Sequence, residues 1–159
     1  MLSGLLDHIS ASRDTVIDLQ RLMVSIPAIG PDNGGAGERA KADAMLEWLA
    51  ANGITDVTEY RAPDTRVPCG HRPTIKAVIP GKDASRTFWV ISHLDVVPPG
   101  DATLWATDPF ELTVDGEALV GRGVEDNHQG VVASLLVGKA LAEKGGVPPM
   151  NFGMLLVAD

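Results

Sequence analysis

Phe88-Trp89-Val90-Ile91-Ser92-His93-Leu94-Asp95 is the stretch that sets the reading of this chain. Its first half is apolar enough to be a central strand covered on both faces. It ends abruptly in two side chains that bind metals or protons. In extended chain, positions i and i+2 project from the same face, so Asp95 can reach the imidazole of His93 and fix its tautomer. A histidine after a strand is more often structural than functional, and H-x-D alone is a weak motif. Its meaning depends on the rest of the chain.

Downstream, Gly121-Arg122-Gly123-Val124-Glu125-Asp126-Asn127 opens a helical stretch. Two glycines around Arg122 imply backbone packed too closely for side chains. The segment is not a dinucleotide fingerprint, because Asp126 occupies the third glycine position and would repel a pyrophosphate. Asp126 has two readings. It is a helix N-cap, which needs no metal, or it is a carboxylate offered to a cation. Asp126 or Asn127 can cap the helix expected from His128 to Lys144, whose Val131, Val132, Leu135, Leu136 and Leu141 cover more than one face. Gly145-Gly146 ends it, and Phe152 to Ala158 reads as another interior strand.

Upstream, Leu5, Ile9, Val16, Leu19, Met23 and Ile26 form the apolar stripe of one amphipathic helix stopped by Pro27, with an extra polar turn near Ser12. Pro31 to Gly35 is turn chemistry. A second helix runs from about Gly37 to Asn52, with Ala42, Met45, Leu46 and Leu49 inward and Gly53 at its left-handed cap. Residues 55–60 and 74–79 alternate as half-buried strands. Pro80 to Asp83 turns into the strand Thr87 to Ser92. Residues 97–117 read as a long loop with a short excursion of strand, a length that is often functional. Helices followed by strands joined through a helix point to an α/β layered fold.

Composition narrows the function classes. The 159 residues suffice for one domain, and 45% hydrophobic with 21% charged residues is ordinary for a globular protein. The net charge of −8 and the lack of a Lys/Arg cluster disfavour nucleic acid. No signal peptide is read at the N-terminus, and no apolar run approaches the roughly 20 residues of a membrane helix. One cysteine, Cys69, excludes an intramolecular disulfide, so a soluble cytoplasmic protein is expected.

Taken in order, Ser92 to Pro98, Gly100-Asp101, Trp105, Asp108-Pro109-Phe110, Gly121-Arg122-Gly123 and Asp126 resemble the M20 family of metallopeptidases. That family includes acetylornithine deacetylase, succinyl-diaminopimelate desuccinylase, aminoacylase and carboxypeptidase G. The resemblance is tight over residues 89–130 and looser in the flanks. A related co-catalytic zinc aminopeptidase of similar fold is the nearest rival, and the Trp105 and Asp108-Pro109-Phe110 loop favours M20.

The resemblance implies a mixed sheet flanked by helices, part of a zinc-peptidase-type catalytic domain occupying residues 1–159, without the family's lid and dimerisation domain. It implies two zinc ions, with Co or Mn as substitutes, and cleavage of an amide bond in an N-acyl amino acid or small peptide. His93 would be a terminal metal ligand, Asp126 the carboxylate bridging both ions, and Asp95 the catalytic-site residue orienting His93. The 126–127 peptide would be cis. Asn127-His128-Gln129 departs from the acidic or Lys-containing sequence usual there. His128 can be read as an extra ligand, but two residues beyond a bridging carboxylate it should point elsewhere. His8 and His71 are read as surface residues without an acidic or cysteine partner at ligand spacing, beyond Cys69 near His71. Trp105 and Phe110 are expected to anchor the long loop, and Arg122 to pair with Glu125 or Asp108.

The family's Glu-Glu pair, its later acidic ligand and its late histidine do not occur in the sequence, which ends at Asp159, where a third contribution to the site is expected. A catalytic zinc needs about three protein ligands plus water. The chain alone is therefore expected to be at best a weak metal binder without turnover. Its apolar strand 152–158 is expected to be an unpaired edge. A non-catalytic remnant binding metal or a partner is the alternative.

Overall fold

The computed structural model describes residues 2–144 and 146–158. Gly145, expected at the end of the last helix, and Asp159, expected to contribute to the site, lie outside the described residues. Helices α1 (Leu2–Ser10), α2 (Arg13–Val24) and α3 (Arg39–Ala51) precede the first strand. The single helix expected from Leu5 to Ile26 is thus two. The Ser12 hydroxyl donates to the His8 carbonyl at 2.8 Å, and a serine bonding back to the helix in this way offers the chain an alternative to continuing it. Both pieces still turn apolar residues inward: Leu5 of α1 packs against the core in which Leu19 and Met23 of α2 are buried. In α3 the expected stripe buries Ala42, Met45 and Leu49, and Gly53 follows with φ 73°.

Strands β1 (Val57–Pro63), β2 (His71–Ile79) and β3 (Asp83–His93) come next. A short hairpin, β4 (Thr113–Asp115) and β5 (Ala118–Val120), lies within the long connection to α4 (Gln129–Lys144), and β6 (Met150–Val157) follows α4. The main sheet has the order β1-β2-β6-β3. β1 and β6 both run antiparallel to β2, whereas β3 and β6 are parallel. This is the expected mixed α/β sheet. Ile75 and Ala77 of β2 alternate inward, and Met154 and Leu156 of β6 join them against Met23, Met45, Leu49, Val131 and Leu135 in one core.

Two expectations about the sheet are overturned together. The run 87–92 is an edge strand rather than a central one, with Phe88 61% and Ile91 64% exposed. The strand expected as an unpaired edge, 152–158, lies inside, bonded to β2 on one side and to β3 on the other. The cause is connectivity. A crossover through α4 allows β6 to lie parallel to β3 and fill the place beside β2 that β3 leaves open. Apolarity alone does not give that order.

An exposed apolar edge strand is a template for pairing with other chains, and an outward lysine blunts it. Ile91→Lys in the 159-residue polypeptide is expected to reduce concentration-dependent association in sedimentation velocity. Unchanged association would contradict the assignment of β3 as the exposed edge.

Candidate metal-binding site

The site lies at the carboxyl ends of the two parallel strands, where ligands collect in open α/β sheets. His93 is the last residue of β3. Beyond it the chain is held on both sides. The Leu94 amide donates to the Val157 carbonyl at 2.8 Å, and the Val96 amide donates to the Ala28 carbonyl at 2.9 Å. Leu94 is fully buried. His93 and Asp95 therefore project from a short segment whose backbone has little freedom.

The Asp126 segment approaches from the start of α4. Gly123 has φ 88°, a left-handed conformation that favours glycine, and an added Cβ would lie 2.6 Å from Val96 and 2.7 Å from the His128 ring. A Cβ on Gly121 would meet Val24 at 3.0 Å. The crowding read from the two glycines is present at both. Asp126 (φ −120°, ψ 95°) and Asn127 (φ −132°, ψ 32°) leave helical geometry, and the peptide between them is cis, as the resemblance implies. Asn127 Oδ1 accepts the Gly130 amide at 3.3 Å. Asn127 thus takes the capping role, and the Asp126 carboxylate, 80% exposed, is left to face outward.

The two side chains meet. His93 Nε2 lies 2.9 Å from Asp126 Oδ1. On the other side of the ring, His93 Nδ1 is 3.1 Å from the Asp95 carbonyl oxygen and 3.5 Å from its carboxylate Oδ1. The backbone oxygen of Asp95 is therefore closer to the ring than the carboxylate expected to orient it. With the proton on Nδ1 facing Asp95, a lone pair on Nε2 faces a carboxylate oxygen. That contact is attractive only with a positive species between the two, either a proton or a metal ion. An imidazole nitrogen and a carboxylate are a suitable donor pair for zinc. Among the described residues no group of three or more His, Cys, Asp or Glu is placed to hold a metal.

His128 does not join them. It is fully buried, with Nε2 2.8 Å from the Lys41 ammonium, itself only 1% exposed. Burial, then the neighbouring Lys41 charge, hold the His128 imidazole at about 3, so it is neutral. Burial lowers Lys41 to about 7 against the opposing charges of Asp95 and Glu38. Glu38, also buried, takes both forks of the Arg72 guanidinium at 2.7 and 2.6 Å.

Lys41, Glu38 and Arg72 are not among the residues expected from the sequence to support the site. A signal for the first two exists, since Glu38, Lys41, Met45 and Leu49 recur at three- and four-residue steps along the inward stripe of α3. Other expectations also change. The Arg122 guanidinium lies over the Trp105 ring at 5.3 Å, with no ion pair to Glu125 or Asp108 among the described contacts. Trp105 does anchor the loop, donating from Nε1 to the Pro99 carbonyl at 2.9 Å. His8 and His71 are half-buried beside glutamates, at 3.1 Å from Glu143 and 3.8 Å from Glu59 respectively.

Residues 89–159 match the model of peptidase family M20/M25/M40. The chain is 36% identical over 153 residues to an uncharacterized metallohydrolase of Methanocaldococcus jannaschii, a match covering 92% of this chain and 36% of that protein. It is 29% identical over 143 residues to a succinyl-diaminopimelate desuccinylase of Rhodospirillum centenum, covering 90% of this chain and 34% of that one. The solved structure of the dipeptidase Dug1p from Saccharomyces cerevisiae superposes with a TM-score of 0.80 at 24% identity, over 99% of this chain and 34% of that one. This chain thus spans about a third of the length of the relatives it matches.

The buried ammonium makes stability depend on pH. Lys41 at about 7 in the folded chain lies below its ordinary 10.5. Between those values the unfolded chain binds more protons, so stability rises with pH across that window. Lys41→Met is expected to flatten the rise, measured as the difference in urea-unfolding free energy between pH 7 and pH 10. Parallel pH profiles for the two proteins would contradict it.

Proposed function

We propose, from the match of residues 89–159 to peptidase family M20/M25/M40, that the chain is the N-terminal part of the catalytic domain of a zinc-dependent hydrolase of that family. The substrate proposed is the amide bond of an N-acyl amino acid or small peptide. The named relatives support this substrate class, one a desuccinylase and another a dipeptidase. The observation that carries the reading is the convergence of His93 Nε2 and Asp126 Oδ1 to 2.9 Å, which brings two zinc-type donors to one point.

In this reading His93 would be the terminal ligand of one ion, and Asp126 the carboxylate shared by two. Asp95 is the orienting residue. Its carbonyl and carboxylate both lie on the Nδ1 side of the ring, so they hold the proton there and keep Nε2 free to bind. Two bound zinc ions, with Co or Mn as substitutes, would supply an activated water and stabilise charge on the amide oxygen under attack. The protein's own contribution is to fix the donors. The clamped 94–96 backbone sets His93, and Asn127 takes up the helix cap so that Asp126 does not.

Further ligands and a general base would come from the part of the relatives that this chain does not span. The exposed, unpaired Cys69 suits a reducing compartment, and the cytoplasm is the proposed location. Among the described residues no helix is long and apolar enough to cross a membrane.

A non-catalytic module that binds metal or a partner is the second reading. The convergence of His93 and Asp126 is compatible with metal binding of that kind. A protein completed to the relatives' length separates the two when assayed on a panel of N-acetyl and N-succinyl amino acids and dipeptides. Turnover lost on chelation and restored by zinc is expected, with His93→Ala and Asp126→Ala inactive. Asp95→Asn is expected to lower metal affinity about 10–100-fold. Turnover by the completed protein that survives both alanine substitutions would refute the site. Full turnover by the 159-residue polypeptide alone would refute its dependence on further ligands.

A further inference from the structure

We propose that Lys41 is a positioning residue for the His93–Asp126 pair: its side-chain amine, buried behind the site, fixes His128 in the turn that carries Asp126. The proposal rests on the reading of His93 and Asp126 as metal ligands.

The first observation is that Lys41 stands on the inward stripe of α3 with Met45 and Leu49. An apolar side chain there would avoid the desolvation cost of burying an ammonium. Lysine is nonetheless present, and its ammonium reaches His128 Nε2 at 2.8 Å. When Lys41 is protonated it only donates, so His128 Nε2 accepts and the ring proton lies on Nδ1. That Nδ1 is buried with no hydrogen-bond partner. The bond to Lys41 is therefore the polar contact that selects the ring's tautomer and orientation.

The second observation is how the ring is used. The His128 amide donates to the Gly123 carbonyl at 2.9 Å, closing the segment 123–128. The His128 ring lies against Gly123, where any Cβ would come within 2.8 Å of it. Asp126 and Asn127, the two residues out of helical geometry, sit inside that closed segment. With the ring pinned from below by Lys41, the segment has one way to lie, and it presents Asp126 outward toward His93. The charges complete the arrangement. Glu38 pairs with Arg72, and the negative charges acting on Lys41 are those of Asp95 and Glu38. Beneath the site, then, Glu38 and Arg72 pair with each other and Lys41 contacts His128.

The test uses the 159-residue chain labelled with nitrogen-15. Long-range imidazole spectra without metal are expected to show His128 as the Nδ1–H tautomer, and Lys41→Met is expected to change that signature. Cobalt(II) titration, followed by paramagnetic shifts around His93, is expected to show about 10–100-fold weaker binding in Lys41→Met, with the fold retained by circular dichroism. Lys41→Met/His128→Lys is expected to recover binding, because an ammonium from position 128 enters the same space. If Lys41→Met does not fold, Lys41→Leu takes its place, which also removes the donor toward His128. Cobalt affinity within twofold of wild type in the folded variant would overturn the proposal. If wild type and His93→Ala bind cobalt alike, the metal-ligand reading itself falls, and the proposal with it.

Discussion

The parallel pairing of β3 with β6 is the constraint on which the rest depends. Its register runs from Phe88 opposite Phe152 to His93 opposite Val157. Parallel neighbours require the chain to return the length of the sheet before the second strand begins. Here α4 makes that return, so α4 must start at the end of the sheet where β3 stopped. The residues that open α4 therefore arrive beside His93. Asp126 is brought to His93 by topology, and the local turn only sets its orientation. The same pairing carries the Leu94 amide to the Val157 carbonyl and so holds the His93–Asp95 segment still.

Beneath the two donors the protein keeps a compact set of buried charges where helices usually meet sheets through hydrocarbon. Glu38 and Arg72 form a bidentate pair, and Lys41 contacts a neutral His128. A buried network of this kind gives little net stability, and removing one partner is costly because its counter-charge stays behind. What it provides is a single geometry. The site needs that, since an imidazole and a carboxylate bind a common cation only when both are aimed at the same point. The exposed Asp126 has few contacts of its own to aim it, so its direction is set by the segment around it.

Much of this was legible in the sequence, and the parts that were not share a cause. Helix α3 could be read because its stripe and its cap at Gly53 are local signals. The crowding at Gly121 and Gly123 could be read because glycine has few other reasons to recur there. His93 and Asp126 were singled out by position and residue type, and the fold places them 2.9 Å apart. The order of the sheet could not be read. An apolar run such as 87–92 has the same composition whether buried on two faces or lying at an edge, and only the crossover distinguishes them. The break at Ser12 was visible as a polar turn but was read as part of one helix. Lys41 is not marked by its residue type, because lysine is expected at the surface, although its spacing from Met45 and Leu49 marks it as inward. Its role depends on His128, 87 residues later in the chain, which no local pattern can link to it.

The central claim is that His93 and Asp126 converge on a metal ion rather than only on a shared proton. Anomalous diffraction at the zinc edge, on crystals of the protein grown with zinc, tests it most directly. The account predicts a peak at roughly 2.0–2.2 Å from both His93 Nε2 and an Asp126 carboxylate oxygen, with His128 still on Lys41. A map with no peak there, and His93 still bonded directly to Asp126, would contradict it.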